Sequence, residues 1–297
     1  MAQLDLIRKI KSAVVAIGIS DNEKSFPIEI GGTGFIIDPQ GFVLTATHII
    51  DQLVLKQTVL QKQGVKASIC AYQIRIQDHT PTILQRGLLE RRRFKIKPTS
   101  QFPSQEDYDV TLCRMIGNEK WSAIEIAKPS KIDVLSEIVV CGYPAGSGTF
   151  NVFDPQRGLR FSPLAQVGKV AAIMPIDDVL RPTGIQTDIV GTGGSSGSPI
   201  VRIEDENVIG IIQSVISAPV VTLQKEELIA KGQIGLMSGI SNFVLYAGIK
   251  VGLEQMKEEL DENGRLKEEY QKKYSKSEVS GTVDIDLKNP EEAKMKD

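Results

Sequence analysis

Cysteine is scarce in this chain. Three residues, Cys70, Cys113 and Cys141, stand among 297, an odd number with no paired spacing. That excludes a disulfide framework and favours a reducing compartment, so a cytoplasmic protein is expected. Histidine is scarcer, with only His48 and His79. Two histidines and three scattered cysteines do not make a metal site, and no cofactor is expected. Neither sign of charge dominates: 35 Lys and Arg against 37 Asp and Glu leave a net −2. No global field then draws the chain to nucleic acid or a membrane. No apolar run is long enough to span a bilayer. Arg8, Lys9 and Lys11 before Ala13 to Ile19 imitate a signal peptide but lack a small-residue cleavage site. The stretch reads as a helical turn entering a first strand.

Apolar residues make up 41% of the chain, enough for the cores of two moderate domains. Short apolar runs punctuated by glycine and proline recur, which predicts an all-β barrel or sandwich architecture. Val14 to Ile19 and Ile28 to Ile37 are strands. Asp38-Pro39-Gln40-Gly41 is a hairpin turn, and Phe42 to Thr45 the return strand, which His48 ends. Short alternating segments are expected from Leu53 to Arg93. Arg91 to Lys97 reads as a solvated basic strand face, since no aromatic stacking set accompanies it. Helix is expected only late, capped by Ser241-Asn242 and running to about Glu262. Residues 275–297 are charged and poor in aromatics, so a loosely ordered tail is expected. The predicted units are 1–118, 119–242 and a helical extension, 243–297.

The densest signal is Gly191-Thr192-Gly193-Gly194-Ser195-Ser196-Gly197-Ser198-Pro199, between strand-like Ile185 to Val190 and Ile200 to Ile203. A tight glycine-rich loop presents backbone N–H groups to one point. A phosphate-binding loop would need a Lys after its last glycine, and none is there. Ser196, before Gly197, a small residue and Pro199, has the context of a nucleophile on a sharp turn. Such a serine needs a base and an orienting acid. His48 lies in a small, apolar setting, whereas His79 falls in a polar turn. Asp109, before Val110-Thr111-Leu112, fits the acid; Asp107 is the fallback, and Asp51 and Asp78 are weaker. Both histidines precede Ser196, which excludes the Ser, Asp, His order of α/β-hydrolases.

With Gly32 to His48, Asp109 to Leu112, Gly142-Tyr143-Pro144-Ala145-Gly146 and Gln186-Thr187-Asp188 in order before Ser196, the chain resembles trypsin-like serine proteases. Within them it is most similar to the HtrA (DegP-like) protease domain, over about Ser12 to Asn242. The resemblance implies a chymotrypsin-like fold of two six-stranded antiparallel β-barrels, followed by a C-terminal helix and charged tail. It implies His48, Asp109 and Ser196 as catalytic triad, and the N–H groups of Gly194 and Ser196 as oxyanion hole. Polypeptides would be the substrates, and trimers are one assembly open to such proteins. No PDZ domain is expected after Asn242. Ser198 departs from the usual Gly, and Gly193-Gly194 from Pro-Gly. The glycine pair suggests a loop whose oxyanion hole rests collapsed until substrate orders it. Val190 would form the base of the specificity pocket and Gln213, Ser214 and Val215 its wall. With no carboxylate there, a small or medium apolar residue is the expected preference. The rival reading is a catalytically idle, protease-like module that binds peptides.

Overall fold

The first strand shows how the sequence builds the core. In β1 (Val14–Asp21), Val15, Ile17 and Ile19 join one apolar cluster while Val14 and Ala16 join another. Successive side chains of a strand point to opposite faces, so a continuous β-branched run buries both. The computed structural model describes residues 2–21, 27–77, 80–96, 108–144, 162–179, 182–217, 235–263, 265–274, 282–285 and 294–296. Helix α1 (Ala2–Ala13) precedes β1 and sends Leu6 and Ile10 into the core. Then follow β2 (Pro27–Asp38), β3 (Phe42–Thr45), helix α2 (Thr47–Lys62), β4 (Ala67–Gln77), β5 (Thr80–Ile96) and β6 (Tyr108–Met115). They pair antiparallel in the order β5-β4-β1-β2-β3-β6, and β5 closes on β6.

A second closed barrel is built from β7 (Glu137–Gly142), β8 (Leu164–Met174), β9 (Gly184–Gly191), β10 (Pro199–Arg202), β11 (Val208–Ser217) and β12 (Gly235–Ser241). Its order is β10-β11-β12-β9-β8-β7, with β7 returning to β10. Two closed six-stranded antiparallel barrels are the architecture expected. The β2–β3 turn also falls where the sequence puts it. Gly41, at φ 86°, donates its N–H to the Asp38 carbonyl at 2.9 Å. One cluster fills the space between the barrels. It joins Phe35, Leu44, Tyr72 and Leu112 of the first to Val139, Cys141, Val201 and Ile211 of the second.

Four expectations are corrected. Helix is not confined to the end of the chain: α2 begins immediately after β3, so His48 lies in its first turn rather than at a strand end. Ile49, Ile50 and Leu53 are buried along its inner side, and tertiary packing overrides the β-branched composition. Two arginines of the basic run in β5 are not solvated as expected, and Lys97 lies outside the described residues. Arg92 is fully buried and ion-paired with Glu259, and Arg93 pairs with Asp51 of α2. Ser241 does not cap helix α3 (Asn242–Glu259) with its side chain; its hydroxyl donates to the Pro182 carbonyl. Asn242 instead anchors the helix start, its amide donating to the Ala127 carbonyl at 2.8 Å. The tail is not loose throughout. After α4 (Glu268–Tyr274), β13 (Thr282–Ile285) runs parallel to Arg93–Ile96 of β5, and β14 (Lys294–Lys296) pairs with β13.

Candidate active site

His48 is positioned by a strand-to-helix junction. β3 ends at Thr45, Ala46 is extended at φ −75° and ψ 138°, and α2 starts at Thr47. The first N–H groups of a helix have no partner within it. The His48 N–H finds one in Asp109, whose Oδ1 accepts it at 2.9 Å. The other oxygen, Oδ2, lies 2.6 Å from the His48 ring Nδ1. One carboxylate therefore grips backbone and ring together, at the helix end that favours negative charge. A neutral ring carrying its proton on Nδ1 would donate it to Oδ2 and leave the Nε2 lone pair available. Asp109 comes from β6, whose Thr111 faces Thr45 across the ladder. The Thr47 hydroxyl donates to the Tyr108 carbonyl at 3.4 Å, tying the helix start to that strand. The His48 side chain is 37% exposed and that of Asp109 19%, so the pair is open to an incoming molecule on the ring side.

Ser196 belongs to a loop from the second barrel that rests on β2 of the first. The Ser195 N–H donates to the Thr192 carbonyl at 3.2 Å, closing a four-residue turn with Gly194 third at φ 90°. Positive φ at that position is what a type II turn requires of glycine. Gly197 N–H donates to Ile212 and Ser198 N–H to Ser195. Between Gly194 and Ser198, the amides of Gly194 and Ser196 alone have no acceptor among the described residues. These are the two N–H groups expected of an oxyanion hole. The Ser196 hydroxyl donates to the Gln213 carbonyl at 3.3 Å. Among the described residues no hydrogen bond joins it to His48.

The two halves meet at Gly32 and Thr33. A Cβ on Gly32 would overlap the Ile49 side chain, next to His48, and lie 3.2 Å from the Ser196 carbonyl oxygen. Thr33 is buried and bonded at every polar atom. Its N–H donates to the Ser196 carbonyl at 3.0 Å, and its carbonyl accepts the Thr45 hydroxyl at 2.7 Å. Its own hydroxyl donates to the Gly194 carbonyl and accepts the Tyr143 N–H, both at 2.9 Å. Sequence reasoning did not single out Thr33 as a site residue. Its only signal was a place between Gly32 and Gly34.

The remaining candidates separate. Asp51 is committed to Arg93. Asp78, His79 and Asp107 lie outside the described residues. Val190, in β9, has 48% of its surface exposed and its carbonyl accepts from Gln166. It lies in register with Leu236 of β12, and Leu236 with Ile216 of β11. Gln213 and Ser214 fall at a bulge in β11, and Val215 pairs with Met237. Ser198 is buried, and a Cβ on Gly142 would overlap its Oγ. A cleft of about 410 Å³ between the β2–β3 turn and the end of α3, lined by Gln40, Arg114 and Lys257, takes in none of these residues. The three cysteines are buried and outside any disulfide; burial pushes the Cys70 thiol up to about 11 and Cys141 up to about 12. Neither Cys70 nor Cys141 is a thiolate at neutral pH.

The trypsin-like peptidase domain family matches residues 32–211, more than half of the chain, and the chain belongs to it. Residues 32–211 take in His48, Asp109 and Ser196 with the strands that carry them. Solved structures with a similar course include Deg5, at 16% identity and TM-score 0.46, covering 72% of this chain and 84% of that one. The MamO protease domain from Magnetospirillum magneticum, in its apo form, is 16% identical with TM-score 0.47, covering 81% and 97%. The HtrA-type protease AlgW with a decapeptide is 15% identical with TM-score 0.49, covering 84% and 67%. No curated protein matches the chain. Among the described residues no helix is long and apolar enough to cross a membrane.

Proposed function

We propose that the chain is a serine endopeptidase that cleaves polypeptides through His48, Asp109 and Ser196. The observation that carries this reading is the two-point hold of Asp109 on His48. It fixes the ring tautomer so that Nε2 is the proton acceptor. Ser196 Oγ, turned from its bond to Gln213, attacks the peptide carbonyl carbon, and His48 takes the hydroxyl proton. Negative charge then develops on the carbonyl oxygen, where the open N–H groups of Gly194 and Ser196 receive it. Each such donor is worth about 3–4 kcal/mol in comparable sites. His48 returns the proton to the leaving amine, and water hydrolyses the acyl-enzyme by the same path in reverse. No metal or cofactor enters these steps. The buried thiols fit a reducing, cytoplasmic setting.

The test is labelling with a fluorophosphonate probe and mass spectrometry of the modified peptide. Labelling at Ser196 that Ser196→Ala and His48→Ala abolish is the expected result. Asp109→Asn is expected to lower kcat by about 10⁴, because the wrong tautomer then faces the serine. Peptides with Val, Ala or Leu before the scissile bond are expected to be cleaved faster than those with Lys or Arg, because Val190 offers no carboxylate. Faster cleavage after Lys or Arg would refute that preference.

One observation favours the second reading, a peptide-binding module without catalysis: the Ser196 hydroxyl points to Gln213 rather than to His48. Hydrogen bonds of a catalytic pair are often loose before substrate arrives, which is why endopeptidase is the first reading. A folded protein that binds unfolded polypeptide yet never labels, with or without it, would establish the second.

A further inference from the structure

We infer that Thr33, a residue of the first barrel, is the positioning residue for the oxyanion hole, which is built from the second. The inference rests on the endopeptidase reading above. Thr33 is fully buried in β2 and opposite the loop that carries Ser196. Its hydroxyl has one proton and uses it on the Gly194 carbonyl; a lone pair receives the Tyr143 N–H. Its N–H holds the Ser196 carbonyl. The two residues whose amides stand open are thus each pinned by their carbonyls to the same threonine. The pinned planes are those of the 194–195 and 196–197 peptides, and the Gly194 and Ser196 N–H groups each lie one Cα away from them. Fixing both carbonyls limits rotation of the Gly194 and Ser196 N–H groups away from the point where the oxyanion forms.

The surroundings leave Thr33 little freedom. The Thr45 hydroxyl holds its carbonyl. A Cβ on Gly197 would overlap that same carbonyl, and one on Gly142 would approach the Thr33 hydroxyl at 2.8 Å. The backbones of two segments, 194–197 and 142–143, therefore converge on this one residue, and glycine stands where they come closest. This arrangement also answers the glycine pair in the loop. A stretch with Gly193 and Gly194 has no stiffness of its own, and an external donor at Gly194 supplies it.

Thr33 is fully buried, out of reach of a bound peptide, so the role predicts an effect on the transition state and little on ground-state binding. The variants are Thr33→Val, which keeps the shape and removes the hydroxyl, and Thr33→Ser, which keeps the hydroxyl. Removing an oxyanion donor outright costs about 10²–10³ in kcat, and a donor left in place but loosened is expected to cost about 10–100-fold. For Thr33→Val the expectation is that loss in kcat, with KM within about twofold. A peptide aldehyde, which forms a tetrahedral adduct on Ser196, should lose affinity by a similar factor. Thr33→Ser should restore both. Where Thr33→Val does not fold, Thr33→Cys, with similar shape and a weaker donor, carries the same comparison. Equal kcat and aldehyde affinity in a folded Thr33→Val or Thr33→Cys would overturn the inference, as would a loss confined to KM. Wild-type protein that never labels with fluorophosphonate overturns the endopeptidase reading itself, and with it any role for Thr33 in that reaction.

Discussion

A single methyl group separates the two glycines before Ser196 in consequence. Gly194 has φ 90°, which L side chains rarely adopt, whereas a Cβ on Gly193 would meet nothing within 4 Å. Gly193→Ala is expected to change stability by less than about 0.5 kcal/mol. Gly197→Ala is a different case, because φ is 80° and the Cβ would overlap the Thr33 carbonyl. A loss of about 2–4 kcal/mol is expected, combining backbone strain with forced movement of β2. Urea unfolding of the two variants checks the contrast. The cysteines make a second residue-scale prediction. Since burial holds the Cys70 and Cys141 thiols at about 11 and about 12, neither should react with iodoacetamide at pH 8 until the protein is unfolded. Rapid alkylation of native protein would contradict their placement. The contact of Asp109 with His48 was legible in the sequence, because histidine is rare here and the order of the candidates is informative. Thr33 was not, since threonine in a strand is unremarkable by composition. Its meaning lies in contacts 161 and 110 residues away along the chain.

At the scale of elements, β5 and α3 carry the energetic prediction. Arg92 is fully buried and Glu259 nearly so, and the two are paired. Removing one partner takes an ion pair from a group held out of water. Glu259→Ala is expected to cost about 3–5 kcal/mol, while Arg92→Met with Glu259→Met should recover most of that. Chemical denaturation of the single and double variants checks it. Most β-strands were readable because apolar runs bounded by glycine and proline have few other uses, but the stretch from Leu53 to Arg93, expected as short segments, is the end of α2, β4 and most of the 17-residue β5. Helix α2 was not, because Ile49, Ile50, Val54, Thr58 and Val59 resemble strand residues one by one. The inward spacing of Ile49, Ile50 and Leu53 outweighs that preference once β-strands lie beneath them. The basic run of β5 misled for a related reason: a local reading assigns charge to solvent, and the neutralising partner is 167 residues further on.

For the whole molecule, the cluster between the barrels is the governing feature. Phe35, Leu44 and Leu112 on one side and Val139, Val201 and Ile211 on the other belong to one apolar body, joined by Met256 and Leu260 at the end of α3. Neither barrel can unfold without exposing the other's surface. Scanning calorimetry is therefore expected to give one transition with equal calorimetric and van't Hoff enthalpies, and two resolved transitions would contradict the shared core. The number of barrels was legible from strand count and motif order, but their union was not, because no local pattern says which apolar face meets which. The Arg92–Glu259 pair gives this union a direction in time. A ribosome releases β5 long before α3, so the barrel that bears His48 and Asp109 leaves the exit tunnel before the carboxylate of Glu259 that pairs with its buried arginine. Its completion waits for residue 259, by which point Ser196 and its loop have also emerged. A site assembled in that order comes together only after both barrels and α3 have been made.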